Sequence, residues 1–124
     1  MPVAFLVPMS KTTEWWAKDW MERHTYFLPR CDGNGRMTNE GHALAAAAGV
    51  SCLMRRTYWN AVEPAPPGEY DFVSYFECTP DDVATFERVC AALRDTTRNP
   101  EWAFVREGPT WRGRRVATWR DLAE

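Results

Sequence analysis

The feature that most limits what this chain can fold into is a change of hydrophobic period near its middle. From Val50 to Asn60 the residues alternate, with Cys52, Met54, Arg56 and Tyr58 on one side and Leu53, Arg55, Thr57 and Trp59 on the other. That is the two-residue repeat of a strand. Glu63-Pro-Ala-Pro-Pro-Gly68 is a stiff turn-forming connection, and Tyr70 to Cys78 is the next strand, its antiparallel partner. Helical spacing brackets this pair. Thr12 or Thr13 caps a helix whose Trp16, Trp20, His24 and Phe27 share one face, and Pro29 to Gly35 breaks it. A second helix restarts at Thr38 or Asn39 and runs to Ala48, with Gly49 as its left-handed end. Beyond the strand pair, Thr79-Pro80-Asp81-Asp82 starts a helix with Val83, Phe86, Cys90 and Leu93 as its apolar stripe, ending near Asp95.

Pro2 to Met9 supplies a first strand, Trp102 to Glu107 a last one, and Arg115 to Trp119 a short edge piece. The order strand, helix, strand, strand, helix, strand is the βαββαβ pattern of a ferredoxin-like α+β fold, with helices on one face of the sheet. The bare face needs a cover, and a second copy pressed against it gives a homodimeric α+β barrel. With 124 residues there is one domain, spanning 1–124.

A hydrophobic fraction of 45%, 26% charged residues and a net charge of −2 describe a globular chain rather than a disordered or nucleic-acid-coating one. The basic cluster Trp111-Arg112-Gly-Arg114-Arg115 is read as surface charge, not a nucleic-acid patch. No apolar run approaches the roughly 20 residues needed to cross a bilayer. Met1 to Val7 lacks the basic lead of a secretory signal, so a cytoplasmic location is expected, with reduced thiols at Cys31, Cys52, Cys78 and Cys90. Seven Trp, six Phe and four Tyr either fill the core or wall a pocket for a flat ligand.

Helical geometry puts His42 on a face with Ala45, Ala46 and Gly49, a ring nitrogen beside a strip almost without side chains. Such a strip either permits close packing of helix on sheet or leaves space for a large flat ring whose metal the imidazole binds. His24 is the rival imidazole and Arg56 the rival of Arg55, on the opposite strand face. Tyr58 and Tyr75 are packing residues or redox-active ones, and Glu77 is either an inward structural acid or part of the pocket.

Several stretches together resemble the haem-binding domain of the chlorite dismutases, in particular their short bacterial branch. They are Lys11-Thr-Thr-Glu-Trp15-Trp16, His42 followed thirteen residues later by Arg55, Arg56-Thr-Tyr58, Glu69-Tyr-Asp-Phe-Val-Ser-Tyr-Phe-Glu77, and Leu93-Arg-Asp with Pro100-Glu101-Trp102-Ala-Phe-Val105. The resemblance extends from about Val7 to Val105 and to one ferredoxin-like half where the family has two; Pro29–Gly35, Pro64–Pro67 and Thr97–Asn99 lie outside its pattern. It implies haem b as cofactor, with His42 as axial iron ligand and Glu101 as the acceptor behind its other ring nitrogen. It further implies that Arg55 is the distal catalytic cation, with Glu101 supporting catalysis through the imidazole. Lys11, Trp15, Trp16, Ala45, Ala46, Leu53 and Trp102 are the remaining expected cofactor contacts.

The implied activity is an oxidoreductase that converts chlorite to chloride and dioxygen, or related peroxidase or oxygen-transfer chemistry on a small anionic oxidant. Two other classes fit the same residues: a haem-binding sensor or carrier without turnover, and a haem-free dimeric barrel acting as an isomerase, cyclase or monooxygenase.

Overall fold

The computed structural model describes residues 2–123. Along the chain, β1 (Val3–Lys11) leads into two short helices, α1 (Thr13–Ala17) and α2 (Trp20–Thr25), then a small hairpin of β2 (Arg30–Cys31) and β3 (Met37–Asn39), and helix α3 (Gly41–Ala45). The strand pair β4 (Met54–Trp59) and β5 (Phe72–Cys78) follows, then helix α4 (Val83–Arg94), β6 (Val105–Glu107) and β7 (Trp111–Arg114).

Alternation in β1 sets the layers. Phe5, Val7 and Met9 are buried while Leu6 between them is 44% exposed, so the strand has one core face and one open face. β5 pairs with β1 on one edge and β4 pairs with β5, all antiparallel; β6 and β7 follow one another along the other edge of β1, opposite Met9–Lys11 and Val3–Leu6. Among the described residues this order, β4-β5-β1-β6, is that of a ferredoxin-like α+β fold. Helix α4 covers the core face: the Phe86 ring stacks on Phe5 with centroids 3.9 Å apart and meets Phe76 edge-on at 5.2 Å. Each such ring removed from water contributes about 1.5–3 kcal/mol.

Several boundaries differ from the sequence expectation, each for a local reason. The first helix is two helices, because Asp19 takes an extended conformation and its carboxylate accepts the Glu22 amide at 2.8 Å, capping a new helix rather than continuing the old one. Pro29 to Gly35 does not simply break the chain but enters the β2–β3 hairpin, closed by Asp32, whose Oδ1 accepts the amides of Asn34 and Arg36. The second helix starts at Gly41, not at Thr38 or Asn39, and becomes a 3₁₀ turn at Ala47–Gly49. Gly49 is not left-handed; it packs closely on Leu53, whose Cδ1 would have to shift from 2.6 Å to admit a Cβ there. The left-handed glycine of this helix is at its start, Gly41 at φ +76°.

Residues 50–53 form a turn and β4 begins only at Met54. Pro100 to Phe104 is a 3₁₀ helix with proline in its first turn, so the last core strand shortens to Val105–Glu107. The edge piece lies at Trp111–Arg114 rather than Arg115–Trp119, because Gly108 hydrogen-bonds Pro8 and returns the chain to the β1 edge.

The other face of the sheet carries no helix among the described residues. Leu6, Tyr58 and Trp111 present exposed apolar surface there, Tyr58 at 63% and Trp111 at 65%. Glu77 lies on this face, paired with Arg115 at 2.9 Å, and accepts the Tyr75 hydroxyl at 2.6 Å, a hydrogen bond that is the main cause of the tyrosine pKa being pushed up to about 12. Among the described residues no helix is long and apolar enough to cross a membrane.

Candidate functional site

Between the core face of the sheet and the helical layer lies a cavity of about 850 Å³. Cofactor pockets commonly fall at roughly 300–1,000 Å³. The sheet contributes Met9, Leu53 at the foot of β4, Thr57, Trp59, Phe72 and Phe76; the helical side contributes Trp15, Trp16, Phe27, Ala46 and Gly49. A second cavity, about 240 Å³, lies at the C-terminal turn and contains no ionisable group on its wall.

His42 is held in place by backbone chemistry first. Gly41 turns the chain with φ +76°, and a Cβ there would sit 2.4 Å from the Leu28 carbonyl oxygen, so only glycine fits. The amides of His42 and Ala43 then donate to the carbonyls of Tyr26 and Phe27, both at 3.1 Å, which satisfies the first turn of α3 and fixes its direction. The His42 ring packs on Phe27 at 5.1 Å between centroids and lines the cavity.

Behind it, Glu101 is 2% exposed, carried by the 3₁₀ helix after α4. His42 Nδ1 lies 3.1 Å from Glu101 Oε1. An ionised carboxylate only accepts, so Nδ1 carries a proton, and in the neutral ring Nε2 then keeps its lone pair for a metal. The same Oε1 receives Lys11 Nζ at 3.1 Å, while Glu101 Oε2 is buried without a hydrogen-bond partner.

Burial alone would raise the Glu101 pKa, but the His42 hydrogen bond and the Lys11 charge outweigh it and hold the carboxyl below its usual range. For Lys11 burial is the larger effect and lowers the ammonium pKa, with Glu101 opposing. The two partners thus pull in different senses. The ionised carboxylate is the better supported state, because two donors converge on one oxygen. Lys11 Nζ also sits 4.2 Å above the Trp15 ring.

Arg55 reaches the cavity from the sheet side, in register with Phe76, and Arg56 lies on the open face with its Nη1 on the Arg55 carbonyl at 2.9 Å. His24 also lines the cavity, but it is exposed and has no carboxylate partner among the described residues. Trp102 lines the wall and donates its indole N–H to Glu107 at 3.2 Å. Ala45 is buried at 3% exposure and is not part of the wall; Ala43, not singled out from the sequence, is. Among the described residues no group of three or more His, Cys, Asp or Glu gathers at one point.

Asp71 is the organising residue that sequence reasoning missed. It is 2% exposed; Oδ2 accepts the Lys11 amide at 2.7 Å and the Trp16 indole N–H at 3.2 Å, and Oδ1 accepts the Ala65 amide at 2.7 Å. It thereby ties the end of β1, the Pro-rich connection and the Trp16 ring to the start of β5. Its partners Trp16 and Lys11 are 55 and 60 residues away, so the one available signal was an acid flanked by Tyr70 and Phe72.

Neither a protein-family model nor a curated protein sequence matches the chain. Solved structures do. A dimeric chlorite dismutase from Nitrobacter winogradskyi is 26% identical, with a TM-score of 0.69 over 91% of this chain and 57% of that one. Chlorite dismutase from Candidatus Nitrospira defluvii in complex with imidazole is 25% identical, with a TM-score of 0.68 over 90% and 39%. A variant of that enzyme reaches a TM-score of 0.70 at 24% identity over 93% and 40%. The chain thus spans between two-fifths and just over half the length of these relatives. Over nine-tenths of its own length, its fold makes the chain a structural relative of the chlorite dismutase family.

Proposed function

We propose that this chain is a haem b-binding oxidoreductase domain whose substrate is a small anionic oxidant, chlorite being the first to test. One observation carries the proposal: an imidazole braced by a buried carboxylate, His42 on Glu101 at 3.1 Å, on the wall of a cavity into which Arg55 projects from the opposite layer. The residues present suit the cofactor. An imidazole donor would suit an iron whose remaining ligands a porphyrin supplies, and aromatic and small residues on the two walls match a flat ring. The resemblance to the chlorite dismutases supports the same assignment of His42, Arg55 and Glu101.

In this mechanism Glu101 holds the Nδ1 proton of His42, fixes the ring orientation and strengthens Nε2 as a donor. Lys11 keeps Glu101 ionised while balancing its buried charge. Arg55 draws the anionic substrate inward and holds its oxygen atoms in place as charge redistributes, with no ion-pair partner of its own among the described residues. When bound, the haem supplies redox-active iron. Free thiols at all four cysteines suit a reducing compartment, consistent with a cytoplasmic protein.

The exposed face of the sheet is assigned to a second copy of the chain. This would complete a barrel against the face that carries no helix, and one of the structural relatives is described as dimeric.

The test is haem titration followed by turnover. Wild type should develop a haem absorption band that saturates at one haem per chain, and His42→Ala should lose it. Arg55→Ala should retain the band and lose about a hundredfold in chlorite turnover. A wild type that binds haem but turns over neither chlorite nor hydrogen peroxide would place it with carriers or sensors. No haem band in wild type would overturn the proposal.

A further inference from the structure

The wall of the cavity carries three cationic side chains besides its histidines, and they are not equivalent. Lys11 is neutralised by Glu101 at 3.1 Å. Arg55 and Arg23 form no ion pair among the described residues, and Glu63, the acid on the wall, lies within ion-pair distance of neither.

Arg23 differs again, because its Nε is buried and has no hydrogen-bond partner. A guanidinium N–H without an acceptor is costly, and the terminal nitrogens of Arg23, which unlike Nε are not closed off, also donate to no residue among the described ones, so an acceptor on the molecule that fills the cavity would meet them. The group is also held ready. Its guanidinium carbon lies 5.2 Å from the centroid of the Trp16 ring, and that ring is anchored by its N–H to the buried Asp71 at 3.2 Å. Trp16 therefore has no N–H to spare for a ligand and offers its face as a platform for the arginine. Arg23 sits on α2, in the stretch between Trp16 and His42 that includes the β2–β3 hairpin.

We propose that Arg23 is a ligand-positioning residue that binds an anionic oxygen group at the edge of the cavity's flat occupant, specifically a carboxylate. The planar fork of arginine matches a carboxylate with two parallel hydrogen bonds. The largely apolar wall would take the ring of such a ligand and leave its charged edge at α2. This rests on the haem-binding proposal for the nature of the occupant, because the porphyrin of haem b carries two propionate side chains. Arg23 thus selects for ring carboxylates, separately from the iron bond at His42.

The experiment uses the quenching of tryptophan fluorescence by metal-free protoporphyrin IX and by its dimethyl ester, in which both carboxylates are masked. Wild type should bind the free acid on the order of tenfold more tightly than the ester. Arg23→Gln should bind the two alike, at the ester's affinity, and Arg23→Lys should recover part of the difference. Circular dichroism and thermal melting confirm that each variant is folded.

A preference for the free acid that survives in folded Arg23→Gln overturns the proposal, as does equal binding of acid and ester by wild type. If Arg23→Gln instead weakens nitrite binding to haem-loaded protein and leaves the acid–ester difference intact, the anion at Arg23 is free and the proposal fails. Because no iron is present, discrimination by Arg23 with no His42-dependent haem band would sink the axial-ligand assignment and leave this one standing. Binding of neither porphyrin overturns the Arg23 proposal and leaves the iron bond at His42 to the haem titration.

Discussion

At the scale of single residues, the site depends on one conformation that only glycine can take. Gly41 sits at φ +76° with the Leu28 carbonyl oxygen where a Cβ would have to go. Gly41→Ala should cost at least about 1–2 kcal/mol for the left-handed backbone alone. Relief of the clash moves the next residue, His42, so a lower denaturant midpoint should be accompanied by weaker haem binding; an unchanged midpoint would contradict the geometry. The histidine was legible from the bare helical strip beside it and from the family-like spacing to Arg55. The glycine's role was not, because φ at Gly41 is set by contact with Leu28, outside its own helix. The same holds for Asp71 and Arg23, whose partners are distant in sequence or absent until the cavity is filled. Glu101 was legible from its family-like Pro-Glu-Trp context, although the 3₁₀ helix that carries it takes up Trp102 to Phe104, where a strand was expected.

At the scale of elements, period and capping identified the types and tertiary pairing set the ends. The β4–β5 pair followed directly from alternation, which put Arg55 and Arg56 on opposite faces; the resemblance chose Arg55 as the inward one, and Arg55 is the one that lines the cavity. Asp19, Gly41 and Pro100 each shifted a boundary through a local effect that competes with the average trend. The end of α4 is tied to β6 by Arg94, whose guanidinium makes a two-point contact with Glu107 at 2.7–3.1 Å. That hydrogen bonding is the main reason the Glu107 pKa is depressed below its ordinary 4.5. A carboxyl with a lowered folded-state pKa stabilises the fold fully above its unfolded value and stops doing so as pH falls through the folded one. Glu107→Gln should therefore lose less stability than wild type on acidification below pH 4.5, read from urea midpoints measured stepwise from neutral pH. Parallel acid limbs for the two proteins would show that the contact contributes nothing.

At the scale of the molecule, the sheet divides the chain into a side that holds the cavity and a side that offers Leu6, Tyr58 and Trp111 to its surroundings. The composition gave no sign of which side a partner would take; the register of β1 does. Leu6→Glu, with Tyr58→Glu as a second probe, should shift the protein from dimer to monomer in sedimentation velocity and leave its circular dichroism unchanged. A monomeric wild type would remove the barrel assignment. The division has a thermodynamic corollary. Every group assigned to the ligand belongs to one chain and lies on the far side of the sheet from the proposed contact, so occupancy of one surface gives the other nothing to discriminate. Self-association and ligand uptake should then be uncoupled equilibria, and the haem dissociation constant should stay the same when the protein is diluted through its assembly midpoint.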